Sequence, residues 1–134
     1  MFVITVNKAN FESMIEGEGL VVVQAWASWC PTCKTARPVF ARVAEAHPEH
    51  LFASLDTLEE MELAADLGIT HVPTILVFRD GHLLLRQSGN FDEASLEDIV
   101  AQAAALDMDR VRAEAERARE NSTEVAGAST APGT

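Results

Sequence analysis

The sequence predicts an α/β domain of three layers, a central mixed β-sheet flanked by helices, followed by a C-terminal helical extension. Three observations carry this. The run Leu20 to Trp26 is apolar at every position but Gln24, as a central strand covered on both faces requires. A helical pattern follows it and leads into a second β-rich run at 51–56, so a right-handed βαβ unit is the natural connection. Farther on, two β-rich runs flank Asp80-Gly81, a strong short-range hairpin signal.

Each element has its own local reasons. Phe2 to Val6 alternates β-formers and suits a short edge strand. Asn10 is a natural cap for a brief helix that presents Phe11, Met14 and Ile15 on one face and stops at Gly17 or Gly19. The next helix begins with Cys30 at its cap, Pro31 at the first helical position, where a missing N–H does no harm, and Cys33 at the third. Val39, Phe40, Val43 and Ala44 recur on its buried side, and Pro38 predicts a kink. Leu51 to Asp56 reads as a strand, and Glu59 to Leu67 as a helix ended by Gly68. After Ile69 to Thr74 come a strand at Ile75 to Phe78, a turn at Arg79-Asp80-Gly81, and a strand at His82 to Gln87. Asp92 to Leu106 supplies a final amphipathic helix through Leu96, Ile99, Val100 and Ala103. The order is βαβαβαββα.

Composition changes after Leu106. The domain spans residues 1–106. Residues 107–121 form a charged segment rich in Ala, Arg and Glu, with Arg110/Glu114 and Arg112/Glu116 at helical spacing but little to bury. Residues 122–134 are low in hydrophobic content and are expected to be a disordered tail.

With 134 residues, 48% of them hydrophobic, the chain can bury one core. A net charge of −11 excludes nucleic acid and anionic membranes as natural partners, because the mean field repels both. No window approaches the roughly 18 apolar residues of a membrane helix, and the first residues lack a basic region ahead of an apolar stretch. A soluble, cytoplasmic protein is expected.

Cys30 and Cys33 are the only cysteines. A bridge between them closes so small a ring that it removes little entropy from the unfolded chain, which makes a structural staple a poor reading and leaves catalysis or metal. Pairing them with His47 and His50 in a zinc site fails on distance, because about 14 helical residues span about 20 Å. No metal is therefore expected. A helix N-terminus offers unsatisfied N–H groups and a partial positive charge, which favour a thiolate over a thiol. Cys30 at that end is the expected nucleophile, and Cys33, one turn inside, the resolving thiol.

The chain resembles the thioredoxin family over roughly Phe2 to Leu106. The features that carry the resemblance are Trp26-Ala27, Trp29-Cys30 and Cys33-Lys34 in one stretch, the helix proline Pro38, Val72-Pro73-Thr74 after Gly68-Ile69, the hairpin Gly81, and Gly89. It implies a thiol–disulfide oxidoreductase acting on protein disulfides, recharged by a reductase or another thiol donor, with no cofactor beyond the Cys30–Cys33 pair. It also implies that Pro73 is cis and faces the cysteines, that Cys30 is the exposed member, that Trp26 packs under the site and that Trp29 covers it. Lys34 would be a solvent-facing residue adding modest positive potential. His71 would stand at the rim, either as an imidazolium favouring the thiolate or as a solvated loop residue.

Two departures from the family pattern qualify this. Gln24 stands where a buried aspartate is usual, and Phe52 where a lysine usually accompanies it, so both charges are replaced together. Without that carboxylate the proton-coupled step should be slower or left to water. Pro31-Thr32 replaces the usual Gly-Pro between the cysteines, which points to a less reducing couple. The alternative function is a binding or chaperone-like module that keeps the fold with slow or no redox turnover, and Pro31 alone suggests a glutathione-linked activity.

Overall fold

In chain order the elements are β1 (Ile4–Thr5), α1 (Phe11–Glu16), β2 (Leu20–Trp26), α2 (Pro31–Ala46), β3 (Leu51–Asp56), α3 (Met61–Asp66), β4 (Thr74–Arg79), β5 (His82–Ser88), α4 (Glu93–Ala105) and α5 (Met108–Ala128). The structure, a computed structural model, describes residues 3–17 and 19–128.

The five strands form one sheet in the order β1-β3-β2-β4-β5. β1, β3 and β2 run parallel, and β4 and β5 are antiparallel to their neighbours, so the sheet is mixed. β2 is central and buried on both faces because its side chains alternate between two cores. Val21, Val23 and Ala25 join Ala53, Leu55, Leu76 and Phe78 under Phe11 of α1 and Leu63 and Ala64 of α3. Leu20 and Val22 join Phe52, Ile75 and Val77 under Phe40, Val43 and Ala44 of α2 and Leu96, Val100 and Ala103 of α4. Each fully buried large aliphatic or aromatic side chain stabilises the fold by about 1.5–3 kcal/mol. Gln24 continues the α2-facing row of β2, in register with Ser54 of β3 and Ile75 of β4.

The hairpin forms as Asp80-Gly81 predicts. Both residues have positive φ, 51° and 84°, which a two-residue turn matched to strand twist requires. Asp80 also ties the turn to the start of β2, accepting the Gly19 N–H at 2.8 Å and donating its own N–H to the Gly19 carbonyl at 3.1 Å. Arg79 belongs to β4 rather than to the turn, and its guanidinium donates to the Ala103 and Ala104 carbonyls at 2.8 Å each. A cation thus meets the carbonyls that the end of α4 leaves without helical partners.

Three expectations are corrected. Asn10 does not cap α1 with its side chain, which accepts the Asn7 N–H and donates to the Thr5 carbonyl. α3 starts at Met61 rather than Glu59, because the Asp56 carboxylate accepts the N–H groups of Leu58 and Glu59 and holds a turn there. The edge strand at the N-terminus is only two residues long.

Contacts divide the chain between Ala104 and Ala105. In the second unit, α5 carries ion pairs Arg110–Glu114 at 3.3 Å and Arg112–Asp109 at 2.6 Å. This helix continues to Ala128, past residue 121, where composition alone places a boundary. Residues 129–134 of the expected tail lie outside the described residues. Among the described residues no helix is long and apolar enough to cross a membrane.

Candidate active site

β2 ends at Trp26, and the chain turns through 27–29, where the Ala27 carbonyl accepts the Cys30 N–H at 3.1 Å. Cys30 has extended φ and ψ (−89°, 111°), the conformation of a helix cap, and Pro31 occupies the first helical position. The cap acceptor is the sulfur: the Cys33 N–H donates to Cys30 Sγ at 3.2 Å. An N–H aimed at a sulfur from a helix N-terminus favours negative charge on that sulfur.

Opposite the pair stands the Val72-Pro73 peptide bond, which is cis, as the resemblance implies. Cys30 Sγ donates weakly to the Val72 carbonyl at 3.7 Å. The segment is held by Thr74 Oγ1 donating to the His71 carbonyl at 2.6 Å and by the Gly89 N–H donating to the Pro73 carbonyl at 2.9 Å. Ala27, Cys30 and Cys33 form a small apolar cluster with Trp26 and Val72 against it. Cys30 is only 3% exposed and Cys33 1%, so the first cysteine is not the open group that the resemblance implies. The contact with Val72 and the fold of 27–30 over the helix start account for this. Trp29 is 66% exposed beside the site, while Trp26 is half-buried. Pro31, Thr32 and Lys34 are exposed on the first turn of α2. His71 is exposed, with Nδ1 2.9 Å from Thr70 Oγ1.

Cys33 differs electrostatically from an ordinary thiol. Burial and its hydrogen bond with Cys30 push it up to about 11, against opposing influences from the Ala27 backbone and the Arg37 guanidinium. A groove of about 1080 Å³ lies on this side of the helix, lined among others by Gln24, Trp26, Cys33, Arg37, Ser54 and Asp56. Gln24 is 1% exposed, and neither its Nε2 nor Trp26 Nε1 has a hydrogen-bond partner among the described residues. Phe52, expected at the place of the usual lysine, is buried in edge-to-face contact with Phe40 at 5.5 Å but pairs with Val22 rather than Gln24; the β3 residue beside Gln24 is Ser54, so the expectation is corrected by the strand register.

One residue the sequence reading misses is Arg37, whose guanidinium lies 3.7 Å from the centre of the Trp26 ring. Its place four residues after Cys33, on the same helix face, is the signal that could have found it.

The thioredoxin family profile matches residues 2–102. A second thioredoxin-type protein of Streptomyces coelicolor is 38% identical over 109 residues, covering 81% of this chain and 81% of the relative. The thioredoxin of Alicyclobacillus acidocaldarius is 34% identical over 94 residues, covering 69% of this chain and 90% of that one. Among solved structures, a mutant thioredoxin from Halobacterium salinarum superposes with a TM-score of 0.71 at 27% identity, covering 78% of this chain and 92% of that chain. The Malassezia sympodialis thioredoxin gives 0.70 at 27% identity, covering 77% and 91%.

Proposed function

Because the chain belongs to the thioredoxin family of thiol–disulfide oxidoreductases, we propose that it reduces protein disulfides, with Cys30 as nucleophile and Cys33 as resolving thiol. The observation that carries this reading is the Cys33 N–H directed at Cys30 Sγ at the start of α2, across from the Val72 carbonyl. The Cys30 thiolate attacks one sulfur of the substrate disulfide, forms a mixed disulfide and expels the other sulfur as a thiolate. The Cys33 thiolate then attacks Cys30 Sγ, closes the Cys30–Cys33 disulfide and releases the second substrate thiolate. Two electrons pass to the substrate, and a reductase or another thiol donor returns them. No cofactor beyond the cysteine pair takes part in the chemistry of this family.

The second attack is the slow one. Burial, the largest influence on Cys33, holds its thiol above the ordinary value and so keeps its thiolate scarce at pH 7. An amide at Gln24 cannot take up the proton, and its neighbour on β3 is Ser54 rather than a lysine. The proton therefore leaves through water in the groove that Cys33 lines, while Arg37 lends the emerging thiolate some positive potential. Trp29 and the Val72-Pro73 backbone supply the contact surface for an extended substrate segment, and Pro31, Thr32 and Lys34 shape the mouth of the site. Pro31-Thr32 makes the couple less reducing than ordinary thioredoxin, at about −270 mV; a potential at or below that value would refute this.

The burial of both sulfurs favours a second reading, a binding or chaperone-like module with slow turnover. Insulin reduction driven by dithiothreitol separates the two. The oxidoreductase accelerates it and the Cys30→Ser variant does not; equal rates with and without the wild-type chain would leave only the binding module.

A further inference from the structure

At the end of α2 opposite the cysteines, a second constellation has no part in thiol chemistry. His47 is the C-cap of α2, and Glu49 and His50 lie in the short connection to β3. Glu49 Oε2 stands 3.4 Å from His47 Nδ1 and 3.6 Å from His50 Nε2. One donor atom from each of the three residues falls within 4.8 Å of the others. Around a tetrahedral zinc ion with bonds near 2.0–2.1 Å, neighbouring donors are about 3.4 Å apart. Two edges of such a polyhedron are therefore already in place.

The rings are also held. His47 stacks on His50 at 6.0 Å and on Phe52 at 6.4 Å. On its far side, His47 Nε2 meets Glu97 Oε1 of α4 at 2.5 Å. A proton on Nε2 donated to that carboxylate leaves the Nδ1 lone pair facing Glu49 Oε2, two acceptors that a cation between them reconciles. A carboxylate behind a ligating imidazole is also the arrangement that fixes tautomer and ring orientation in metal sites.

We propose that His47, Glu49 and His50 bind a divalent metal ion of the zinc class, with Glu97 orienting His47 and solvent completing the coordination. This is a different site from one that joins these histidines to Cys30 and Cys33, which the length of α2 forbids. Imidazole and carboxylate donors suit zinc and its neighbours better than calcium or magnesium. Bound there, the ion links the end of α2 to α4 through Glu97 and leaves the redox pair untouched.

The test is a zinc titration of the full chain carrying Cys30→Ser and Cys33→Ser, which removes the competing thiols, followed by calorimetry and by the imidazole NMR signals of all four histidines. One equivalent should saturate and shift His47 and His50 while sparing His71 and His82. His50→Gln should abolish that binding, and Glu97→Gln should weaken it by about 10- to 100-fold. Insulin reduction by an otherwise wild-type His50→Gln chain should match wild type. The NMR readout needs no altered histidine, so a poorly folded variant does not decide the outcome. No saturation below millimolar zinc, or shifts confined to His71 and His82, would overturn the site and leave an imidazolium paired with two carboxylates.

Discussion

The replacement Gln24→Asp probes how Cys33 loses its proton. In wild type the thiol is raised chiefly by burial and has no neighbouring carboxylate in the β2 row, so hydroxide and water set the supply of thiolate. Burial keeps this thiol above its ordinary value in the mixed disulfide too, so the resolving rate should climb about tenfold per pH unit above neutrality and level off later than for an exposed thiol. An aspartate at position 24 would be buried with Ser54 rather than a lysine beside it on β3, and burial raises a carboxyl toward neutrality. Such a group is a competent base, for which a gain of about a hundredfold at pH 7 is a fair expectation. The variant's profile should be correspondingly flat above neutrality, at a stability cost of about 1–3 kcal/mol for burying the carboxyl. The assay is stopped-flow reaction with one equivalent of a nitrobenzoate disulfide, in which attack by Cys30 releases the first chromophore and attack by Cys33 the second. Identical second-phase rates and pH profiles in wild type and Gln24→Asp would refute the reasoning.

Other consequences of the geometry are simpler to read. Arg37→Ala removes the guanidinium that draws the Cys33 thiol down, so the second phase should slow by about 3- to 10-fold at pH 7 with the first unchanged; slowing of both phases equally would point to general disruption. The Cys33 thiol is raised in the folded chain above the ordinary thiol value of 9.0, so the unfolded chain releases that proton first. Its contribution to stability is present below pH 9 and is lost as pH rises toward 11, a fall that urea denaturation should record in wild type and not in Cys33→Ser. Trp29→Ala, at a side chain 66% exposed, should alter stability by less than about 0.5 kcal/mol while raising KM for insulin; a large loss of stability would show that Trp29 is structural.

The parts of the fold that sequence reveals are those set by local chemistry. The apolar run of β2 matches the observed strand end to end, Pro31 marks the first turn of α2, and Asp80-Gly81 makes the turn with the positive φ its residues favour. Long-range partnerships are not visible in this way. The burial of Cys30 depends on the Val72 carbonyl, 42 residues away. Glu97 reaches His47 across 50 residues, a carboxylate partner that folding alone brings to the histidine pair. Asp56 shortens α3 by competing for backbone N–H groups, a choice propensity leaves undecided. The extent of α5 beyond residue 121 is likewise absent from composition, because Ser, Thr and Gly there weaken the helical pattern.

The division of labour between the two sulfurs is tested most directly by trapping the mixed disulfide. The Cys33→Ser chain, mixed with an oxidised protein substrate, should accumulate a stable adduct that mass spectrometry places on Cys30, and the Cys30→Ser chain should accumulate none. An adduct on Cys33 in the Cys30→Ser chain, with none on Cys30 in its counterpart, would contradict the assignment.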